Sequence, residues 1–304
     1  MTGTPDVETP TRVRDRLGGL AEGVMRWLGR NMSYFDPFSP SSPLPENRRV
    51  KAALELAVFC HRWEKLEPED DLFHEATSML QGIFPRPEFV ELIDTHGGVH
   101  AGSQRIVYVA LAPRTNLREA VLARLKADDY LSPQGKSAYV QLETRYYADK
   151  AHLEHSLESY QDLTAKSLLA SPPVPPVPTG TAYALTHTAF FLGDYGHRDM
   201  GLPGDVRERA ERAVCSMLDS SAGDDLWDLT SELLITLAGL GGDVLATPSG
   251  QAGIRCLARA QQADGAIPGR SAASGVPPSL PPGQFFRRCY HTTLVTALMT
   301  LAVR

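Results

Sequence analysis

Cysteine is scarce and scattered in this sequence. Four thiols, Cys60, Cys215, Cys256 and Cys289, lie among 304 residues without a single Cys-x-x-Cys pair. That argues against a disulfide framework and against a structural zinc site of the usual spacing, and it suits reduced core thiols. Long apolar runs are also missing: none reaches the roughly 18 residues needed to span a bilayer. The opening Met1-Thr-Gly-Thr-Pro-Asp lacks the basic start and apolar stretch of a secretory leader, so a cytoplasmic location is expected. Positive charge is not in excess, with 30 Lys and Arg against 36 Asp and Glu for a net charge of -6. No Lys/Arg cluster is interleaved with aromatics, so nucleic acid is not an expected partner.

What is present is helical periodicity. Apolar residues recur three and four apart, as in Leu17-Gly-Gly-Leu20-Ala-Glu-Gly-Val24 and Ala52-Ala53-Leu54-Glu-Leu56-Ala57, which predicts an all-α chain. A hydrophobic content of 42% is enough for a sizeable core. Residues 33–47 hold too many prolines for a helix interior and read as an ordered loop whose aromatics pack back on the fold. The spacing then predicts helices over 68–83, 86–95, 104–111, 116–127 and 135–160, with Glu67-Pro68-Glu69 and Thr115-Asn116 as start signals. Residues 171–178, Ser-Pro-Pro-Val-Pro-Pro-Val-Pro, form an extended connector. It is read as a crossover within one domain, with a subdivision into residues 1–170 and 179–304 as the alternative. A second Gly, Ser and Pro-rich loop, Arg270 to Gln284, is either a lid or a plain surface connection.

After Thr179 apolar helices alternate with amphipathic ones: an apolar segment from Tyr183, then 204–218, 226–240, 249–260 and 289–303. That alternation is expected when inner helices line a barrel and outer ones face water, as in an α/α toroid of five or six helical hairpins with an irregular N-terminal part. The three apolar segments each carry ionisable groups near their start: His187 and Asp194, Asp228 and Glu232, and His291. Such groups on buried faces cost several kcal/mol unless paired, so their repetition suggests one shared polar site. His187 and Asp194 are seven apart and Asp228 and Glu232 four apart, so each pair can share a face of a continuous helix.

Three uses of this constellation stay open. His187, His291, Asp228 and Glu232 suit a divalent metal, Zn, Fe or Mn, whose bound water could serve as base or nucleophile. A metal-free site would use a carboxylate, Asp228, Glu232 or Asp194, as proton donor in an apolar cavity. Alternatively, the histidines bond backbone carbonyls or neighbouring carboxylates, and Asp194-Tyr-Gly is a helix C-terminal turn. Tyr183, Trp227 and Tyr290 are the expected cavity walls. Elsewhere, His96-Gly-Gly-Val-His100 reads as a turn, and Glu143, Arg145, Tyr146 and Tyr147 as a solvated face or a further cavity wall. His152 and His155 read as exposed helix surface, and His61 beside Trp63 as packing.

The stretch Ala258-Arg-Ala-Gln261-Gln-Ala-Asp264-Gly265, followed after a loop by Tyr290-His291-Thr292, resembles a repeat of the terpenoid cyclase and protein prenyltransferase toroid superfamily. In the prenyltransferase catalytic subunit the Tyr-His-Thr histidine is a zinc ligand beside an Asp-x-Cys pair. His291 matches the histidine and Asp228 the aspartate, but Thr230 stands where the thiolate would be. The aspartate-rich protonation motif of squalene-type cyclases is absent as well. Trp27-Leu28 with Phe35-Asp36-Pro37, Lys51 to Ala57, and the Thr-His-x-x-Phe-x-x-x-Asp-x-Gly motif from Thr186 to Gly196 also resemble an uncharacterised family of actinobacterial all-helical proteins. The resemblances bear on fold and motifs more than on activity; taken with the polar constellation, the expected function is that of a metal-dependent enzyme of actinobacterial specialised metabolism. It would catalyse a lyase, cyclisation or transfer step on an apolar small molecule or modified peptide. The alternatives are a non-catalytic binding or scaffold protein for a peptide or partner enzyme, and a metal-free acid/base isoprenoid-type cyclase.

Overall fold

The computed structural model describes residues 9–67, 69–269 and 281–303; Met1 to Glu8, Pro68, the loop from Arg270 to Leu280 and Arg304 lie outside the described residues, and with them most of the expected lid. The described chain is all-helical, with no strand. Its α-helices are α1 (Pro10–Asn31), α2 (Glu46–Glu64), α3 (Asp71–Ile83), α4 (Pro87–His96), α5 (Ala101–Leu111), α6 (Asn116–Ala127) and α7 (Ala138–Lys150). They continue as α8 (Tyr160–Ala165), α9 (Thr179–Leu192), α10 (Gly204–Gly223), α11 (Trp227–Gly239), α12 (Pro248–Ala260) and α13 (Pro282–Ala302). None of the described helices is long and apolar enough to cross a membrane.

The chain divides into two compact units. Unit 1 comprises Met1–Arg30, Thr164–Leu280 and Arg288–Arg304, and unit 2 comprises Asn31–Leu163 and Pro281–Arg287. The proline-rich segment 171–178 therefore falls inside unit 1. Unit 2 is held by aromatic clusters. Trp63 stands between Phe59 and Phe73, and the Tyr108 hydroxyl donates to the Phe84 carbonyl at 2.8 Å while its ring meets Phe84 and Phe89. The proline-rich loop after Met32 is anchored by Phe35, whose ring meets Phe286 edge-on.

Several helices stop where residues other than glycine take a left-handed conformation. The sequence predicts one helix over 135–160, yet α7 ends at Lys150, because His152 has φ +56 and the amides of His152 and Leu153 turn back to the carbonyls of Asp149 and Ala148. This is the Schellman arrangement, which satisfies carbonyls the helix would leave bare. His155 consequently sits on an irregular segment, not on a helix surface, and its largely buried side chain is 2.8 Å from Asp149.

Unit 1 is organised around α11, whose residues Leu229 to Leu237 are all buried. Tyr183 of α9 bonds Asp228 of α11, and one turn later Thr186 bonds Glu232, so α9 and α11 run parallel. Gly253 of α12 brings its backbone close to Leu218 of α10 and Leu234 of α11. Thr230 bonds Ser221 of α10, and Ser231 bonds Thr296 of α13 at 2.9 Å. The solvent face of α10 carries Asp205–Arg209 and Glu208–Arg212 pairs four residues apart, opposite a buried stripe of Ala210, Val214, Met217 and Leu218.

The Gln-x-x-Asp-Gly stretch has a structural task. Gln261 Nε2 donates to the Leu20 carbonyl at 3.0 Å, tying the end of α12 to α1. Gly265 has φ +101, and a Cβ there would overlap the Gly23 carbonyl, so only glycine permits this approach. Burial raises the thiol pKa of Cys60 and Cys289 to about 12, with Glu64 and Asp264 adding to the shift, so both remain protonated at neutral pH. Replacing Gly265 with alanine combines backbone strain with a collision against α1. It is expected to cost about 2 kcal/mol or more, read as a lower chemical-denaturation midpoint. An unchanged midpoint would mean that the contact is slack.

Candidate acid–base site

The ionisable groups singled out in the C-terminal half are gathered as two rungs between the parallel helices α9 and α11. Tyr183 and His187 lie four apart on α9; Asp228 and Glu232 lie four apart on α11, sharing one face as their spacing predicts. In the first rung the Tyr183 hydroxyl donates to Asp228 Oδ2 at 2.5 Å. In the second, Thr186 Oγ1 donates to Glu232 Oε2 at 2.5 Å and His187 Nε2 stands 3.4 Å from the same oxygen. That separation suits a charge pair but is long for a tight hydrogen bond.

The exposures of the pair differ sharply. The Glu232 side chain is 4% exposed and that of His187 is 36% exposed, so a buried carboxylate holds an imidazole that solvent and solutes can reach. The imidazole is flanked by aromatics: Phe190 stacks on it at 5.7 Å, Phe191 meets it edge-on at 6.4 Å, and Tyr195 stacks on Phe190 at 5.2 Å. Each motif residue thus has a physical part. Thr186 bonds Glu232, His187 pairs with it, and Phe190 walls the imidazole.

Asp194 is placed elsewhere. Helix α9 stops at Leu192, and Asp194, Tyr195 and Gly196 take φ of +47, +55 and +87 in sequence, with the Tyr195 amide bonded to the Phe190 carbonyl. Seven-residue spacing puts His187 and Asp194 on one face only of a continuous helix, and this one is not continuous. Asp194 thus belongs to a C-terminal turn, reinforced by the Arg198 guanidinium on the Leu192 carbonyl.

Of the four expected metal ligands, His187 and Glu232 meet, while Asp228 bonds Tyr183. His291, on α13, stands beside Tyr290 with ring centroids 6.4 Å apart. Among the described residues no group of three or more His, Cys, Asp or Glu side chains is gathered closely enough to hold a metal ion. As arranged in the structure, His187, Asp228, Glu232 and His291 do not form one such group.

The three expected cavity walls have these surroundings. Tyr183 belongs to the first rung, Trp227 turns to the Cys256 thiol, and Tyr290 is buried. A cleft of about 250 Å³ in unit 1 is lined instead by residues including Gly196, Arg198, Asp199, Arg207, Gly239 and Gly241. One of about 430 Å³ in unit 2 is lined by residues including Met32, Asp36, Phe38, Glu75, Met79 and Arg86.

The weaker candidates fall in unit 2, with structural partners. Tyr146 and Tyr147 are buried, not solvated; Arg145 donates to the carbonyls of Leu157 and Glu158, and Glu143 accepts from Ser103. His61 Nε2 lies 2.6 Å from Lys150 Nζ. His96 ends α4 and the chain turns through Gly98 at φ +51.

The residue overlooked in the sequence is Thr186. Its signal was only its place beside His187, because a threonine in an apolar helix usually bonds its own backbone. Thr186→Val keeps the shape and removes the donor to a buried carboxylate. A loss of about 1–3 kcal/mol is expected in chemical denaturation, with Thr186→Ser largely restoring it. Equal stability of the valine variant would show that Glu232 does not depend on this bond.

Comparison with the curated proteins and with the solved structures finds no match. Residues 21–301 match the family model of a domain of unknown function, DUF6895, and the chain belongs to that family.

Proposed function

We propose that the α9–α11 ladder is the acid–base site of a cytoplasmic enzyme acting on a small molecule or modified peptide, with His187 as proton carrier and Glu232 as the carboxylate that fixes its ring. The observation behind this is the 3.4 Å pairing of a half-exposed imidazole with a carboxylate buried to 4% exposure. Histidine changes charge near neutral pH, and a carboxylate behind the ring orients it and stabilises the imidazolium formed when it accepts a proton. The Phe190 and Phe191 walls favour an apolar portion of the substrate next to the ring.

A toroid-like arrangement of the unit 1 helices is part of the same proposal. Its support is the parallel run of the apolar α9 and α11 and their alternation with the amphipathic α10 and α12. A metal-dependent version would place Zn, Fe or Mn on His187 and Glu232 and draw Asp228 and His291 in as further ligands. It would require Asp228 to give up its 2.5 Å bond to Tyr183.

The test is untargeted mass spectrometry of small molecules in a cell extract incubated with wild type and with His187→Gln, alongside metal analysis of both proteins. A compound consumed by wild type and turned over about 10²–10⁴ times more slowly by the variant is expected. No consumption by well-folded wild type would point to a binding or scaffold role. Stoichiometric metal lost in the variant would favour the metal-dependent version.

A further inference from the structure

We propose that Tyr183 and Asp228 form a second proton-transfer head, opposite in sense to His187 and Glu232, and that the two heads together hydrolyse carboxylic esters with an apolar acyl chain. This rests on the acid–base reading of His187 given above.

The sense of each head follows from its charges. The Tyr183 hydroxyl donates its one proton to Asp228 Oδ2 at 2.5 Å, while a phenol oxygen can also accept a hydrogen bond. A phenol that gave its proton to a substrate would become a phenolate in contact with a carboxylate, two like charges side by side. Tyr183 is therefore the accepting head, passing its own proton to Asp228 as it takes one from the substrate side. An imidazolium facing the Glu232 carboxylate is the electrostatically paired form, so His187 is the donating head. The two rings lie one turn apart on α9, both half-exposed, with centroids 6.3 Å apart. Four residues apart on one helix, the two heads share a face and can act on one bound molecule.

Ester hydrolysis uses both senses at once. An O–H bond of water breaks as its proton goes to the Tyr183 oxygen and the Tyr183 proton goes to Asp228. The water oxygen bonds to the ester carbonyl carbon. The bond from that carbon to the alcohol oxygen then breaks, its electron pair staying on the oxygen, which takes a proton from the His187 imidazolium. Ester and water become acid and alcohol; Asp228 then loses a proton to solvent and His187 regains one. Phe190 and Phe191 beside His187 suit an apolar chain in preference to a charged one.

Leaving-group chemistry separates the heads. Ethyl hexanoate needs its alkoxide protonated, whereas p-nitrophenyl hexanoate releases a stable phenolate and needs only the accepting head. Both esters are assayed with wild type, His187→Gln, Tyr183→Phe and Asp228→Asn, helicity being checked by circular dichroism. Wild type is expected to hydrolyse both. Tyr183→Phe and Asp228→Asn are expected to lower kcat/KM for both by about 10²-fold, and His187→Gln to do so for the ethyl ester alone. Loss of both activities in His187→Gln with none in Tyr183→Phe would overturn the second head and leave His187 as proton carrier. No hydrolysis of either ester by wild type would overturn the ester class, while the extract assay judges the His187 reading by itself.

Discussion

A carboxylate removed from water is the constraint on which unit 1 depends. Glu232 sits in a helix buried on every side, and an ion in such surroundings costs several kcal/mol unless its oxygens are met. Thr186 and His187 both meet its Oε2 from α9, and only one relative register of the two helices allows it. The same register puts Tyr183 against Asp228 one turn earlier. Apolar packing alone would tolerate α9 sliding by a turn; the buried carboxylate does not.

The helix ends impose a second constraint. His152, Asp194 and Asp225 adopt left-handed conformations where glycine is the usual choice, and each accepts the strain because the turn satisfies carbonyls of the helix before it. Such positions cost about 1–2 kcal/mol each for a residue with a Cβ. At Asp194 the strain lies in the loop that follows the site helix, so the turn sets where α9 stops and where Phe190 and Tyr195 stack beside His187.

Helical character, the solvent-facing charge pairs of α10 and the shared face of Asp228 and Glu232 were legible because they repeat every three or four residues. The end of α7 was not, since a histidine at the left-handed position gives no glycine signal. How His187, Asp228, Glu232 and His291 sit relative to one another was not legible either. Spacing within a helix shows which residues share a face but not which neighbouring helix that face meets. For the same reason the partner of Gln261 was out of reach: its acceptor, Leu20, lies 241 residues away in the chain.

The coupling of His187 to Glu232 is measured by a double-mutant cycle of His187→Gln, Glu232→Gln and the double variant in chemical denaturation. An interaction free energy of about 0.5–3 kcal/mol is predicted for two groups that stabilise one another across α9 and α11. Additive losses, with no interaction beyond experimental error, would show that Glu232 is satisfied without the imidazole.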